Sequence, residues 1–174
     1  MKTQDMARIA LFAAVIAVLS QIAIPMPSGV PVTLQTFAIA LAGCALGKKY
    51  GPAAVAVFLA LGAVGVPVFS GFSGGFGKLV GVTGGFLWGF LPMAFLCGLG
   101  AQRSRAQALA LGAAGLLVCH ACGVAQFAAV TGATLGRAAL TVSLPYLVKD
   151  LVSVALAHAA AQALRAAIGR SRAA

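Results

Sequence analysis

GVPVFSGFSGGFGKLVGVTGG, residues 65–85, lies between two strongly apolar runs and decides how the chain is laid out. Eight of its 21 residues are glycine and its single charge is Lys78. Phe69, Phe72 and Phe76 stud it, and Phe86 adjoins it. Interior glycine costs a helix about 1 kcal/mol against alanine, so the segment does not read as a continuation of either neighbouring run. A plain linker has no use for the rings. The expectation is a loop that folds over a ligand, with glycines permitting close backbone approach and phenylalanines supplying apolar contact.

The rest of the chain explains where such a loop would sit. The 174 residues are 61% hydrophobic and only 8% charged, with a mean hydropathy of +1.05. Soluble domains carry about 25% charged residues, so the natural solvent for this chain is a bilayer. Twelve basic and two acidic residues give a net charge of +10. They form no single patch, which argues against nucleic acid as a partner. Cys44, Cys97, Cys119 and Cys122 all fall in apolar runs and read as small packing residues rather than a disulfide framework.

Six apolar runs can be marked: Ala7–Ile24, Val32–Gly47, Pro52–Phe69, Gly84–Ala101, one within Ala106–Gly136, and one from Pro145 to about Ala166. A crossing needs roughly 20 such residues. The fifth region has 31 residues without a formal charge. As one helix it would measure about 46 Å, longer than the roughly 30 Å hydrocarbon core, so a loop is expected near Thr131–Gly136. Pro145 suits the first turn of the last helix. The fold expected is all-α and integral to the membrane: one domain over residues 1–174, a bundle of six transmembrane helices with a Gly-rich outer loop between the third and fourth.

Six crossings put both termini on one side. If that side is cytoplasmic, Lys2, Arg8, Lys48, Lys49, Arg103, Arg105, Arg165, Arg170 and Arg172 lie inside, and Lys78 and Arg137 outside. Nine against two is a positive-inside asymmetry. It makes the protein multi-pass in the cytoplasmic (inner) membrane, surrounded by lipid, with the glycine segment facing out. The first run has the basic start of a secretory leader. Cleavage would leave five spans and weaken the asymmetry, so the run is read as retained.

Lys149 and Asp150 are the sharpest chemical feature, because charges inside a span are costly and mark function. They lie about 6–8 Å below Pro145 at 1.5 Å per residue. Adjacent helical residues do not face each other, so no mutual pairing is assumed. Other motifs fail. A P-loop around Gly77-Lys78 would need glycine at Phe72 and a hydroxyl residue at Leu79. Gly71-Phe72-Ser73-Gly74 with His158 suggests a rhomboid-like intramembrane protease. His158, however, lies about 20 Å deeper than the mouth of the last helix, and a serine needs its base within about 3 Å. Cys119-His120-Ala121-Cys122 has two thiols and an imidazole but no fourth zinc ligand, and reads as small residues at a helix contact. His158 reads as a polar residue packed between helices. Ala7, Ala10, Ala14 and Ala17 form a small-residue stripe that would let another membrane helix approach.

Three blocks together resemble the BioY family, the biotin-specific substrate-binding (S) subunits of energy-coupling-factor (ECF) transporters. They are Val30-Pro31-Val32-Thr33-Leu34-Gln35-Thr36-Phe37 with Ala42-Gly43; Gly65-Val66-Pro67-Val68-Phe69 with Gly74-Gly75 and Thr83-Gly84-Gly85-Phe86; and Leu144-Pro145-Tyr146 with Asp150. Family members often carry a lysine three positions after the aspartate; here Ser153 stands there and Lys149 precedes it. The resemblance implies biotin as ligand, a transmembrane coupling protein and a pair of ABC ATPases as partners, no cofactor and no enzymatic activity. It implies Thr33, Gln35, Phe72, Gly75, Thr83, Phe86, Lys149 and Asp150 around the ligand, with Trp88 as a further aromatic cover. Asp150 would accept from the ureido N–H groups. Lys149, Lys78 or Arg137 would meet the carboxylate, Lys149 being favoured. The stripe Ala7, Ala10, Ala14 and Ala17 would dock the coupling protein. Some members are thought to work without the full module, which leaves room for a homo-oligomer. Alternatives of other kinds are an S component for another vitamin, a stand-alone secondary transporter and the protease.

Overall fold

The structure is a computed structural model and describes residues 2–26 and 29–171, with side chains up to residue 167. The side chain of Arg170 and the whole of Arg172, both counted in the charge asymmetry, lie outside the described residues. The described chain is almost entirely helical. In order it forms α1 (Thr3–Ser20), β1 (Ala23–Ile24), β2 (Val32–Thr33), α2 (Gln35–Ala63), α3 (Phe76–Val80), α4 (Gly84–Gly100), α5 (Arg105–Thr131), α6 (Leu135–Val142) and α7 (Leu144–Ser171).

Helix α2 covers two of the marked runs. Gly47 interrupts it with φ 80° and ψ 178°, a conformation open to glycine and strained for other residues. Lys48 and Lys49 follow at this turn, so the chain reverses where the charges stand. The apolar runs therefore correspond to α1, the two arms of α2, α4, α5 and α7. By length and composition four helices suffice to cross a membrane: Thr3–Ser20, Gln35–Ala63, Arg105–Thr131 and Leu144–Ala167. Gly84–Gly100 is shorter.

Three boundaries differ from the sequence reading, each for a local reason. Helix α1 stops at Ser20. The apolar residues after it leave the helix, and Ala23–Ile24 pair antiparallel with Val32–Thr33; Pro25 cannot extend a helix. The third run leaves its helix at Ala63, because Gly65 turns the chain at φ 103°. The glycine segment is more than a loop, since it contains the short helix α3. The long fifth region divides near the expected place: Gly132 caps α5 in the left-handed region, and Thr134 caps α6 by accepting from the Arg137 N–H.

Helix α2 packs on α1, α4 and α7, and α4 packs on α5. Phe58, Ile16, Ile39, Met93 and Leu116 are fully buried at the centre. Close approach relies on missing side chains. A Cβ on Gly89 would lie 2.7 Å from the Cys119 Cα, and one on Gly98 would lie 2.5 Å from the Lys48 nitrogen at the Gly47 turn. Cys119 thus sits at a helix contact. Near that turn Arg165 donates to the carbonyls of Ala101 (2.7 Å) and Cys44. These carbonyls belong to the last turns of α4 and of the first arm of α2, where helices leave acceptors unpaired and favour cations.

Candidate functional site

At the end of the bundle opposite the Gly47 turn, a cavity with about 140 Å³ of space for water opens between the glycine segment and the helices. The segment, here called the flap, covers it. Phe69, Ser70, Ser73 and Lys78 of the flap line the cavity, with Thr33 of β2 and Gln35 and Thr36 at the start of α2. Thr83, Phe86 and Phe90 come from the start of α4, His120 from α5, and Tyr146, Lys149 and Asp150 from α7.

Asp150 forms the charged floor and is 5% exposed. Its Oδ1 lies 2.5 Å from Lys149 Nζ and its Oδ2 lies 3.3 Å from His120 Nε2. Lys149 also donates to the Thr33 carbonyl at 3.0 Å. The neighbouring charges therefore do pair, contrary to the expectation from helix geometry; the long lysine stem carries its ammonium round to the carboxylate. The ion pair leaves Oδ1 without an aligned hydrogen bond, so acceptor capacity remains. His120 Nδ1 lies 2.9 Å from Ser143 Oγ. A neutral ring carrying its proton on Nε2 satisfies both contacts, donating to Asp150 and accepting from Ser143.

Gln35 is the second unusual group. Its Oε1 accepts from Thr33 Oγ1 at 3.4 Å, but its Nε2 is buried without any hydrogen-bond partner. A buried donor left unpaired costs about 1–3 kcal/mol. Among the described residues the buried side-chain atoms without a hydrogen-bond partner are this nitrogen and Asp150 Oδ1, the latter ion-paired with Lys149, and both residues line the same cavity.

The walls are aromatic, and glycines make room for them. A Cβ at Gly62 would collide with the Phe69 ring, and one at Gly123 with the Phe86 ring. Phe86 meets the His120 ring edge-on at 5.7 Å between centroids, and Phe69 meets Phe58 edge-on at 5.4 Å. The Tyr146 hydroxyl donates to the Val30 carbonyl at 2.6 Å, fixing the connection that leads into β2.

Of the residues marked from the sequence, Thr33, Gln35, Thr83, Phe86, Lys149 and Asp150 meet at this cavity. Phe72 and Gly75 do not line it. Phe72 is 73% exposed and points away, while Gly75 supplies the backbone turn before α3 at φ 97°. Trp88 is also outside the wall; its Nε1 donates to the Leu79 carbonyl at 3.1 Å. Arg137 is exposed on α6. The sequence reading places His120 in helix packing, whereas the structure makes it a partner of the carboxylate. Its signal in the sequence is its isolation as a polar group in an uncharged run. Ser73 donates to the Ser70 carbonyl (2.8 Å), whereas His158 pairs with Gln162 (2.8 Å) in a separate groove between α5 and α7. Ser73 and His158 form no pair.

Apolar helices long enough to cross a bilayer, closed over a cavity with one ion-paired carboxylate, one unsatisfied amide and aromatic walls, define a multi-pass membrane protein built to hold a small ligand. The chain belongs to the BioY family, whose model matches residues 1–170. It is 49% identical over 116 residues to a biotin transporter BioY of Thermotoga maritima, covering 66% of this chain and 68% of that one. It is 37% identical to a probable biotin transporter BioY of Pyrococcus horikoshii over 95% of this chain and 98% of that one. A crystal structure of the S-component for biotin from an ECF-type ABC transporter superposes with a TM-score of 0.85 at 26% identity, over 95% of this chain and 94% of that one. The resemblance read from the three sequence blocks is borne out. The family is one of transporter subunits, not enzymes.

Proposed function

We propose that this chain captures biotin at the outer face of the cytoplasmic membrane as the S component of an ECF-type ABC transporter. The observation that carries the reading is the unpaired donor of Gln35 facing the same buried cavity as the Asp150 carboxylate. Biotin's ureido ring offers a carbonyl acceptor and two N–H donors. Gln35 Nε2 donates to the carbonyl, and Asp150 accepts an N–H in a charge-assisted bond. Phe69, Phe86 and Phe90 cover the fused rings. The Lys149 ammonium is already engaged by Asp150 and Thr33. Lys78 lines the cavity without an ion-pair partner among the described residues, so we assign the carboxylate tail to Lys78 rather than Lys149.

The charge pattern supports a flap that faces outward. Lys78 flanks the cavity, whereas Lys48, Lys49, Arg103 and Arg105 flank the turns at the opposite end. With the arms of α2 counted separately, the chain crosses six times and keeps its termini cytoplasmic. Ala7, Ala10 and Ala14 are exposed on α1, and Ala17 is half-buried, so the small-residue stripe is free to dock a coupling protein that joins the chain to a pair of ABC ATPases. Equilibrium binding to the purified protein tests the ligand. Biotin should bind, and thiamine and riboflavin should not. A protein that ignores biotin, or takes another vitamin equally well, overturns the reading.

A further inference from the structure

The flap's position is set by a side chain that does not line the cavity. Gln21 follows the last residue of α1. Its Nε2 donates to the Ala17 carbonyl (2.9 Å) on its own helix and to the Val68 carbonyl (3.0 Å) in the flap; its Oε1 accepts from the Phe72 N–H (2.8 Å). One flap contact falls just before, and the other within, a tight turn in which Phe69 and Ser73 exchange backbone hydrogen bonds of 2.9 and 3.2 Å. That turn presents Phe69, Ser70 and Ser73 to the cavity. Among the described residues Phe72 alone has a positive φ, 52°, without being glycine. A bulky residue is strained there, and its exposed ring gains no burial in return. The bond from its N–H to Gln21 ties the strained turn to the end of α1, beside the bonds within the turn itself.

We propose that Gln21 is a positioning residue that latches the flap to α1, so that the placement of α1 governs release of the ligand. The inference rests on reading the cavity as the biotin site. Residues 7, 10, 14, 17 and 21 succeed each other by three or four, so Gln21 extends the helix face that carries the alanine stripe. A partner gripping that stripe holds the same face as the latch, and displacing the end of α1 withdraws both flap bonds together. The far end of the flap is anchored elsewhere. Gln126 of α5 donates to the carbonyls of Leu79 (2.9 Å) and Gly81 (2.8 Å). Trp88 of α4 donates to the same Leu79 carbonyl (3.1 Å), and the Gly75 N–H donates to the Gly62 carbonyl of α2 (2.7 Å), so the Gln21 bonds are the ones that tie the Val68–Phe72 end of the flap to α1.

The test uses Gln21→Ala and Gln21→Glu in the purified full chain, with two readouts. Amide hydrogen exchange over residues 66–76 is followed without ligand, and biotin association and dissociation rates are measured with it. In Gln21→Ala, exchange in the segment and the biotin off-rate should each rise about thirtyfold, the scale of the two flap hydrogen bonds lost at roughly fivefold each. The on-rate and the exchange of α4 and α5 should hold. Gln21→Glu keeps the acceptor for Phe72 but loses the donor to Val68, and should fall between Gln21→Ala and the parent; it decides the matter if the alanine variant does not fold. Exchange and off-rate within twofold of the parent overturn the latch, and so does loss of protection spread evenly through the helices. If the parent protein binds no biotin, the ligand reading fails, while exchange in the ligand-free flap still decides the latch.

Discussion

Asp150→Asn isolates the claim that a carboxylate receives the ligand's ureido N–H. The change keeps shape and removes charge from a residue that is 5% exposed. A hydrogen bond to a charged group contributes about 1.5–3 kcal/mol, and a neutral one about 1 kcal/mol. From the middle to the upper end of that range, the variant should therefore lose about 1–2 kcal/mol of biotin binding, roughly 5- to 30-fold in Kd at about 1.4 kcal/mol per decade. The substitution also leaves Lys149, 2.5 Å away, without its counter-charge, so disturbance of the floor alone would also weaken binding. A cycle separates the two. Biotin methylated on a ureido nitrogen should bind the parent protein far less well than biotin does, and the Asp150→Asn variant should show a much smaller difference between the two ligands. Isothermal titration of all four combinations gives the coupling. Equal loss on methylation in both proteins would refute the assignment of Asp150 to the N–H, as would an Asp150→Asn variant that binds biotin within threefold of the parent.

Gln35→Met should act with opposite signs in the two states. It removes an orphaned donor, so the ligand-free protein should gain about 1 kcal/mol and melt at higher temperature, while biotin affinity falls about five- to tenfold; a lower melting temperature with unchanged affinity would contradict the site. Lys78→Met should weaken biotin several-fold yet leave biotin methyl ester, which has no carboxylate, unaffected; parallel losses for both ligands would remove Lys78 from the tail. Ala14→Trp should preserve biotin binding and stop uptake that depends on the coupling protein. Undiminished uptake in cells holding the full transporter would refute the docking face, and uptake in cells lacking every coupling ATPase would favour autonomous transport.

The sequence showed the fold wherever hydrophobic length was the deciding quantity. Six runs set apart by Pro25, Lys48-Lys49, the glycine segment, Arg103–Arg105 and Gly132 map onto helical segments because a bilayer tolerates little else. It was silent where a boundary depends on one backbone angle. The exit of α1 into a two-residue β pair and the helix within the flap have no periodic signature over so few residues. At the site, Thr33, Gln35, Phe86, Lys149 and Asp150 were legible through the family resemblance and the cost of buried charge. His120 was not, because its meaning lies in Ser143 and Asp150, brought to it from α7 and its approach. Phe72 misled for a related reason. An aromatic residue in a ligand flap suggests contact, but a φ of 52° turns its side chain outward.

The charge balance of the floor dictates how a ligand must lie. Lys149 pairs with Asp150 at contact distance, and His120 lies within reach of both Asp150 and Ser143. The floor's one carboxylate already has a cation against it, and what it offers a ligand is directed hydrogen-bonding groups, which suit an uncharged urea. The cation without an ion-pair partner at the cavity, among the described residues, belongs to the flap. A molecule with a urea at one end and a carboxylate at the other can satisfy both only by entering ring first, with its tail held by the segment that closes behind it. If Lys78 takes the tail as proposed, closure and recognition of the tail would be one event. On the proposed reading, the bonds from Gln21 would retain the ligand without touching it, by keeping the flap and its Lys78 over the cavity while α1 stays in place.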